Sequence, residues 1–348
     1  MADVLWSCKG KQTQLWKHER SLVITLWVLL VVVSLVFSCM PVALVWTEIH
    51  MPSLPKEADG YLLCVLSDLH AGPITSSDCL ANLAQQTKSV GCRAVVLDGD
   101  ISEGPIELRS KQMANLLAIV DAPDGAYYVP GNHEYYNVGG ERDAVAWTDW
   151  WDAHGVKSLN NTSVLLPRNG PFALRLAGTD DVRGHPNIVH AVAVSSNGNL
   201  STFPTILAAH NPVPHIYDAA KVGVELQVSG HTHGGQLWPI HFPTWFMSKG
   251  YISGLYRWKE TALYVSEGSI GTYVTPLRLL TRSEITVLRL HSSGTAASNS
   301  SNRGNSAVWG VGASFVVFFL SMVALLALCM QSLFSSQRTA VSIAPEPA

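Results

Sequence analysis

The sequence predicts an α/β fold, and two observations carry this prediction. Short apolar runs alternate with segments of helical spacing, as in chains that build a sheet covered by helices. Several of these runs lead directly into polar residues, and Asp68, Asp100 and Asn132 are 32 residues apart each time, which suits one strand and one helix per interval. We therefore expect polar side chains to gather where the strands of a sheet end.

The individual elements follow from the pattern of apolar residues. Uninterrupted apolar runs predict buried strands, and the spacing of Leu80, Leu83 and Ala84 is typical of one helix face. The first half of the chain contains predicted strands at 61–66, 94–97 and 126–130 and predicted helices at 78–90, 107–120 and 142–154. The second half contains shorter predicted strands at 163–166, 172–177, 205–209, 225–228, 262–266 and 284–290.

An uncharged stretch near the amino terminus predicts a membrane span. No charged residue occurs in 22–40, and this length is sufficient to cross an apolar bilayer core of about 30 Å. We interpret residues 22–46 as a transmembrane helix that ends or kinks near Pro41. A cleaved signal peptide is the alternative, but its apolar region is typically only about 7 to 15 residues long. Residues 1–21 then precede the span, and 41–59 is expected to be a connector.

A second uncharged stretch lies near the carboxyl terminus, at residues 307–330. It follows a Ser-, Asn- and Gly-rich segment, 291–306, which we expect to be a flexible linker. A buried core helix is the alternative, but a segment that is apolar all round favours a second transmembrane helix. The domain between the two spans is predicted to cover 61–290, and 331–348 forms a tail.

Basic residues predict the orientation of the first span, because Lys and Arg are retained on the cytoplasmic side. Four of them precede the span, and only Lys56 lies close after it. We therefore expect both termini to be cytoplasmic and the domain to be lumenal or extracellular. N-glycosylation sequons between the spans predict a glycoprotein. The basic residues before the span are Lys9, Lys11, Lys17 and Arg20, and the sequons begin at Asn160, Asn161, Asn199 and Asn299.

The composition excludes some classes of protein. A net charge of −3 shows no basic excess that would indicate nucleic-acid binding. Of the six cysteines, only Cys64, Cys79 and Cys92 lie within the predicted domain. An odd number without metal-type spacing favours neither a disulfide framework nor a zinc knuckle, and we interpret Cys64 as a buried thiol in a strand.

The most informative segment is 230–236, with the sequence GHTHGGQ. It follows a predicted strand, and its glycines allow the backbone to approach a ligand closely. Imidazole is the commonest metal-binding side chain, and residues i and i+2 of an extended segment face the same way. His231 and His233 are therefore expected to converge on one metal centre or one pair of centres.

Further polar residues at strand ends complete a candidate metal site. Seven oxygen and nitrogen donors exceed what a single tetrahedral zinc requires, so they predict two divalent cations with Asp100 shared between them. The donor types favour Mn, Fe, Zn or Co. Two such cations would bridge a water, lower its pKa and promote in-line attack of hydroxide on a phosphoester. The seven candidate ligands are Asp68, His70, Asp100, Asn132, His210, His231 and His233.

Five ordered motifs resemble those of the calcineurin-like metallophosphoesterases. They are DLH at 68–70, GD at 99–100, GNHE at 131–134, His210 and GHTH at 230–233. The match resembles in particular the transmembrane proteins with a metallophosphoesterase domain, and it extends over about 61–290.

The resemblance implies a four-layer α/β/β/α sandwich and a division of the ligands between two cations. One would be held by Asp68, His70 and His233, and the other by Asn132, His210 and His231, with Asp100 bridging. His133 would be catalytic, facing the substrate phosphate and either stabilising the transition state or protonating the leaving oxygen.

Other polar and aromatic residues leave two interpretations each. Arg278 either contacts a phosphoryl oxygen or is solvated. Asp180 and Asp181 either order the site or cap a turn. Trp245 and its neighbours Trp238 and Phe246 could rest on the bilayer surface near the site.

The leading functional hypothesis is a membrane-anchored, dinuclear metal-dependent phosphoesterase. Its substrate is expected to be a phosphoester, with a phosphodiester favoured and a lipid-linked one suggested by confinement at a membrane. The alternative is a catalytically silent membrane receptor or scaffold with a structural metal site.

Overall fold

The structure is a computed structural model, and the described residues are 2–38, 40–167, 170, 172–194, 203–237, 241–270 and 277–292. The predicted second span, the tail and all but the first two residues of the predicted linker lie outside these ranges. Trp238 also lies outside them.

Within the described part of the chain, twelve strands form two six-stranded sheets. The first sheet has the order β1-β12-β2-β3-β4-β5, and the second has the order β10-β11-β9-β8-β7-β6. The strands are β1 Ala43–Met51, β2 Tyr61–Leu66, β3 Ala94–Asp98, β4 Gly125–Val129, β5 Val156–Ser158, β6 Thr162–Leu166, β7 Leu174–Gly178, β8 Thr205–Ala208, β9 Leu226–Ser229, β10 Gly254–Trp258, β11 Thr261–Val265 and β12 Glu284–Ser292.

Eight α-helices connect or flank these strands. The helix predicted at 107–120 is divided into α3 and a 3-10 segment, Ala114–Asp121, and the other two predicted helices are present within a residue of their expected bounds. The helices are α1 Ala2–Ser38, α2 Ser77–Val90, α3 Ile106–Met113, α4 Asn132–Tyr136, α5 Glu141–Ala153, α6 Ile188–Val194, α7 His215–Lys221 and α8 Phe242–Met247.

The sheets pack face to face and carry helices on their outer faces. Leu63 and Val65 of β2 join the core between the sheets, which includes Val228 of β9. The alternate β2 residues point to the other face, where Trp147 of α5 is fully buried. On the outer face of the second sheet, α6 and α7 pack against β7 and β8. Because both faces of β2 are buried, its sequence is continuously apolar rather than alternating. The layers are therefore α/β/β/α.

The start of the domain differs from the prediction. The first helix ends at Ser38, and residues 43–51 form β1, which pairs in parallel with β12 from Ala43 opposite Glu284 onward. The predicted helix 22–46 and the predicted connector 41–59 are therefore both wrong at the residues that form β1. The exposure of β1 residues alternates along most of its length, as expected for an edge strand with one covered face, and nearby prolines obscured this pattern. The first sheet consequently begins before residue 61.

The second half of α1 agrees with the prediction of a membrane span. Residues Arg20–Ser38 are long and apolar enough to cross a membrane, and almost none of this stretch is buried against the protein. Its length and composition are those of a membrane anchor.

The cysteine prediction was wrong in one respect. Cys64 on β2 and Cys92, just before β3, form a disulfide, because the two strands are neighbours in the first sheet. Cys79 is the free cysteine among the described residues of the domain. Glycosylation stays a prediction. The side-chain amide of Asn161 donates a hydrogen bond to the carbonyl oxygen of His185 at 2.8 Å, so the amide nitrogen of this sequon already has a partner within the protein.

Candidate metal centre

The candidate ligands lie in loops that follow strands of both sheets. Asp68, Asp100 and Asn132 follow β2, β3 and β4 of the first sheet, and His210 and His231 follow β8 and β9 of the second. These strands are parallel within their sheets, so their carboxyl ends meet at one edge. The packing of one sheet on the other then brings the two sets of loops together.

The backbone of these loops is unusual. Ten non-glycine residues among the described part of the chain have positive φ, and five of them are candidate ligands. Positive φ is costly for most residues and concentrates at functional sites. The ligands concerned are Asp68 (53°), His70 (44°), Asp100 (52°), His231 (70°) and His233 (51°).

This conformation corrects one step of the sequence argument. His231 and His233 do not lie in an extended segment, because a turn follows Gly230 and a 3-10 segment begins at His233. Their rings consequently join two adjacent clusters, which agrees with the expected pair of centres and not with a single centre.

The first cluster contains Asp68, His70 and His233, and the second contains Asp100, His210 and His231. Each offers three donor atoms that all lie within 4.8 Å of one another. The clusters are adjacent, since His70 Nε2 lies 3.7 Å from Asp100 Oδ2. The closest contact within the first cluster joins His70 Nε2 to His233 Nε2 at 3.0 Å, and His210 Nε2 lies 3.1 Å from Asp100 Oδ2 in the second.

Asn132 lies between Gly131 and His133, two residues that contact Asp100. It is 3% exposed, and its Oδ1 accepts no hydrogen bond from any described residue. The preceding Gly131 packs so closely on Asp100 that a Cβ there would lie 2.3 Å from Asp100 Oδ1. Any larger residue at 131 would therefore displace Asp100.

Three buried polar atoms at the site have no hydrogen-bond partner among the described residues: Asn132 Oδ1, His231 Nδ1 and His233 Nδ1. Unpaired buried polar atoms are rare and require an explanation. Buried carboxylate, amide and imidazole donors of this kind fit first-row divalent cations.

Neighbouring groups fix the orientation of two imidazole rings. His210 Nδ1 lies 2.7 Å from the carbonyl oxygen of Asp98, and His70 Nδ1 lies 2.6 Å from Glu103 Oε1. Each Nδ1 can donate to its oxygen, which leaves Nε2 with a lone pair directed into the site.

Electrostatics distinguish the three histidines of the second sheet. Burial lowers the pKa of His233 to about 3 and also lowers the pKa of His231, so both rings are neutral at pH 7. Burial opposes ionisation of His210 as well, but the carboxylates of Asp100 and Asp68 raise its pKa well above its usual value. The carboxylates therefore attract positive charge to the centre of the site.

Sequence reasoning missed two supporting carboxylates. Glu103 Oε1 lies 2.6 Å from His70 Nδ1 and 2.5 Å from His133 Nδ1, so one carboxylate orients two rings. Glu134 accepts hydrogen bonds from four backbone N–H groups, those of Asp100, Ile101, Ser102 and Gly131. Glu103 could have been considered from the sequence, because it lies only three residues after the candidate ligand Asp100.

His133 lies at the rim of the site. Its backbone N–H donates to Asp100 Oδ1 at 2.8 Å, and its side chain is 25% exposed. Burial opposes protonation of the ring, but its hydrogen bond with Glu103 and the charge of Asp100 raise the pKa of His133 to about 9. Its ring centre lies 5.0 Å from that of the exposed Tyr136, which borders the opening.

Arg278 is buried, so the solvated alternative is wrong. It is 1% exposed, and its guanidinium donates to the carbonyl oxygens of Glu267 (2.9 Å) and Arg282 (3.2 Å). Its contribution is to hold the last loop behind the site.

Asp180 and Asp181 combine both roles that the sequence allowed. Asp180 accepts hydrogen bonds from the backbone of Asp181 and from the Tyr135 hydroxyl, so it closes a turn. Asp181 Oδ2 accepts a hydrogen bond from Asn211 Nδ2 at 3.2 Å, next to the candidate ligand His210.

Comparison with known proteins gives consistent matches. A family profile described as calcineurin-like phosphoesterase matches residues 61–235. The chain is 32% identical over 279 residues to a transmembrane protein with metallophosphoesterase domain from Danio rerio, which covers 77% of this chain and 62% of that protein. It therefore spans less than two thirds of that relative.

Two further matches come from a bacterium and from a solved structure. An uncharacterized metallophosphoesterase of Bacillus subtilis is 30% identical over 250 residues, covering 69% of this chain and 82% of that protein. A solved dimetal phosphatase from Danio rerio aligns with 16% identity and a TM-score of 0.39 over 63% of this chain and 90% of that chain. The profile covers half of the chain and the bacterial relative is covered over most of its length, so this chain belongs to the calcineurin-like phosphoesterase family.

Proposed function

We propose that this protein is a membrane-anchored phosphoesterase that uses two divalent cations. The observation that carries the proposal is the pair of adjacent clusters, each with three imidazole or carboxylate donors drawn from both sheets. Family membership supports the same reaction class.

One cation would be held by Asp68, His70 and His233, and the other by Asn132, His210 and His231, with Asp100 shared. When bound, the cations would supply an activated water and compensate negative charge at phosphorus. The chain itself supplies fixed donors, because Asp98 and Glu103 orient the rings and Glu134 holds the loop of Asp100.

His133 is proposed to act on the substrate rather than on a cation. Its Nδ1 is engaged by Glu103, so Nε2 is the nitrogen available to a substrate oxygen at the rim. There it would stabilise the negative charge that develops on the phosphoryl group or donate a proton to the leaving oxygen.

The proposed orientation places the domain outside the cytoplasm. The basic residues before the first span support a cytoplasmic amino terminus. The Cys64–Cys92 disulfide supports a lumenal or extracellular domain, since disulfides persist mainly in oxidising compartments. A second span at 307–330 that returns the tail to the cytoplasm remains part of the proposal.

The proposed substrate is a phosphodiester, and confinement at a membrane favours one that is linked to a lipid. A test uses the full-length chain in detergent micelles, first depleted with EDTA and then supplied with Mn(II). It compares aryl phosphodiester and phosphomonoester substrates. We expect hydrolysis to disappear with the chelator and to return with the metal.

Asp100→Asn separates an enzyme from a scaffold. Loss of the shared carboxylate should lower kcat/KM about a thousandfold, because several kcal/mol of charge stabilisation depend on the bound cations. Asp149→Asn, an exposed carboxylate on α5, is the matched control and should retain full activity. Equal rates for wild type and Asp100→Asn would contradict the proposed activity and favour the scaffold.

A further inference from the structure

The carboxyl-terminal end of the membrane helix is fastened to the domain. Ser34 Oγ donates a hydrogen bond to the carbonyl oxygen of Arg278 at 3.0 Å, and the backbone N–H of Arg278 donates to Ser38 Oγ at 2.7 Å. Ser34 is 3% exposed although most of its helix neighbours are exposed. The loop that contains Arg278 is therefore held at the end of the apolar helix.

This loop is also part of the wall of the metal centre. The Leu279 N–H donates to the carbonyl oxygen of Gln236 at 2.9 Å, three residues after the candidate ligand His233. A Cβ on Gly268 would lie 2.9 Å from Asp68 Cβ and 3.3 Å from Arg278 Nη2, so the Arg278 guanidinium lies directly behind the first cluster. The metal centre and the end of the membrane helix thus share one loop.

The topology of the first sheet gives the same placement independently. Ala43, the first residue of β1, pairs with Glu284, and Thr286 of the same strand pairs with Val65 near the end of β2. Asp68 follows that end of β2. The chain therefore enters the domain at the edge of the sheet where the metal centre lies, not at the opposite edge.

An exposed apolar surface adjoins this edge. We call it the α8 face and define it by Trp245, Phe246 and Met247, which are 50%, 79% and 77% exposed. None of the six residues of α8 is buried. Exposed aromatic and aliphatic side chains grouped on one short helix are typical of a binding surface, and Trp is favoured where an apolar layer meets water.

A pocket of about 310 Å³ connects the α8 face to the metal centre. It is lined by His231 and His233 on one side and by Thr244, Met247 and Ser248 on the other. Met247 belongs to both surfaces, so a molecule in the pocket would contact the two histidines and the α8 face together.

We infer that the α8 face rests in the interfacial layer of the bilayer that holds α1, and that the pocket opens onto this layer. Short helices with exposed aromatic and aliphatic residues bind at this depth, about 5–10 Å into the headgroup boundary. The contact of α1 with the loop of Arg278 makes the bilayer the nearest apolar surface. Given the proposed function, the substrate is a phosphoester whose apolar part stays in the bilayer while its phosphate enters the pocket.

The test measures immersion directly and does not depend on hydrolysis. A ketone-bearing amino acid replaces Phe246 in the full chain, is coupled to a nitroxide, and the protein is reconstituted in vesicles of palmitoyl-oleoyl phosphatidylcholine. A second label replaces Glu57, an exposed residue before β2 at the opposite edge of the sheet, as the control. Power-saturation spectra compare the access of oxygen and of a water-soluble nickel complex to each label.

We expect the ratio of oxygen access to nickel access to be several-fold higher at 246 than at 57. Equal ratios would overturn the inference, because both labels would then be in water. Spin–spin broadening at 246 that disappears on dilution with unlabelled chain would also overturn it, because a second copy would then cover the α8 face. Either failure would leave the proposed hydrolysis untouched, since that is measured in micelles with water-soluble substrates.

Discussion

The two sheets contribute to the metal centre in different ways. The first sheet supplies the carboxylates, and it fixes the loop of Asp100 through Glu134, which accepts four backbone hydrogen bonds. The second sheet supplies three imidazoles, and two of its ligands are positioned by groups of the first. His210 Nδ1 bonds to the Asp98 carbonyl oxygen, and the His231 N–H donates to both carboxylate oxygens of Asp68 at 3.0 Å.

This asymmetry shows that the first sheet acts as the template and the second as the complement. Damage to the first-sheet supports should therefore disturb both clusters, whereas damage to second-sheet supports should remain local. Four substitutions examine this difference, from the largest expected effect to the smallest.

The first substitution, His133→Asn, tests whether the first-sheet half also carries chemistry. A positioned acid or charge-stabilising group contributes about 10²- to 10⁴-fold, so kcat should fall by at least about a hundredfold. Because His133 is not among the proposed ligands, metal content measured by mass spectrometry should not change. His190→Asn, an exposed histidine on α6, serves as the control and should behave as wild type. A parallel loss of metal and activity in His133→Asn would assign this ring to the cations instead.

Glu134→Gln tests the template directly. An amide nitrogen would replace one oxygen and face two buried N–H donors, so the free energy of unfolding should fall by about 2–4 kcal/mol. Thermal or urea unfolding of the metal-free chain measures this effect. Glu260→Gln is the control, because the Glu260 side chain is 99% exposed, and it should shift stability by less than about 0.5 kcal/mol. Equal stability of the two variants would show that the loop does not depend on Glu134.

The third substitution, Glu103→Gln, weakens the contacts that orient the His70 and His133 rings without removing a candidate ligand. Groups that orient metal-binding histidines typically contribute about 10- to 100-fold to metal affinity or activity, so Mn(II) should bind more weakly by that factor. Competition with a metal indicator measures the affinity. The Glu260→Gln variant again provides the reference, and an unchanged affinity in Glu103→Gln would remove Glu103 from the site's support.

Asn211→Ala should have the smallest effect, because it removes one second-sheet hydrogen bond, to Asp181. We expect the free energy of unfolding to fall by about 1 kcal/mol and metal affinity to change less than in Glu103→Gln. Unfolding curves and metal titration of the same sample provide both quantities. If Asn211→Ala weakened metal binding more than Glu103→Gln, the proposed asymmetry between the sheets would be reversed.

Much of the fold was predictable because a strand buried on both faces appears in the sequence as a continuous apolar run. The run 61–66 is apolar on both faces and is β2 with the expected bounds. The edge strand β1 was missed because only one of its faces is covered, and its alternation was short and flanked by prolines. The Cys64–Cys92 disulfide was missed because it depends on which strands are neighbours, which spacing along the chain does not reveal.

The candidate site was predictable to the extent that each donor follows a strand. The sequence pattern placed Asp68, Asp100 and His210 correctly at strand ends, and the structure brings them together. His231 and His233 belong to a pair of clusters, as one of the two expectations stated, but the backbone that places them was not predictable from alternation, since positive φ at both residues turns the chain between them. The role of Glu103 depends on the simultaneous approach of two rings from different loops, so it emerges only in three dimensions.

The apolar helix α1 is followed almost directly by β1, so the helix is joined to the first sheet by a very short connection. Only residues 39–42 separate Ser38 from β1, and β1 covers the outer edge of β12 along nine residues. A soluble version that begins at residue 61 would therefore leave β12 with an open edge, which invites pairing between molecules and aggregation. A cut within these four residues would instead separate the apolar helix from the sheet and leave the edge of β12 covered.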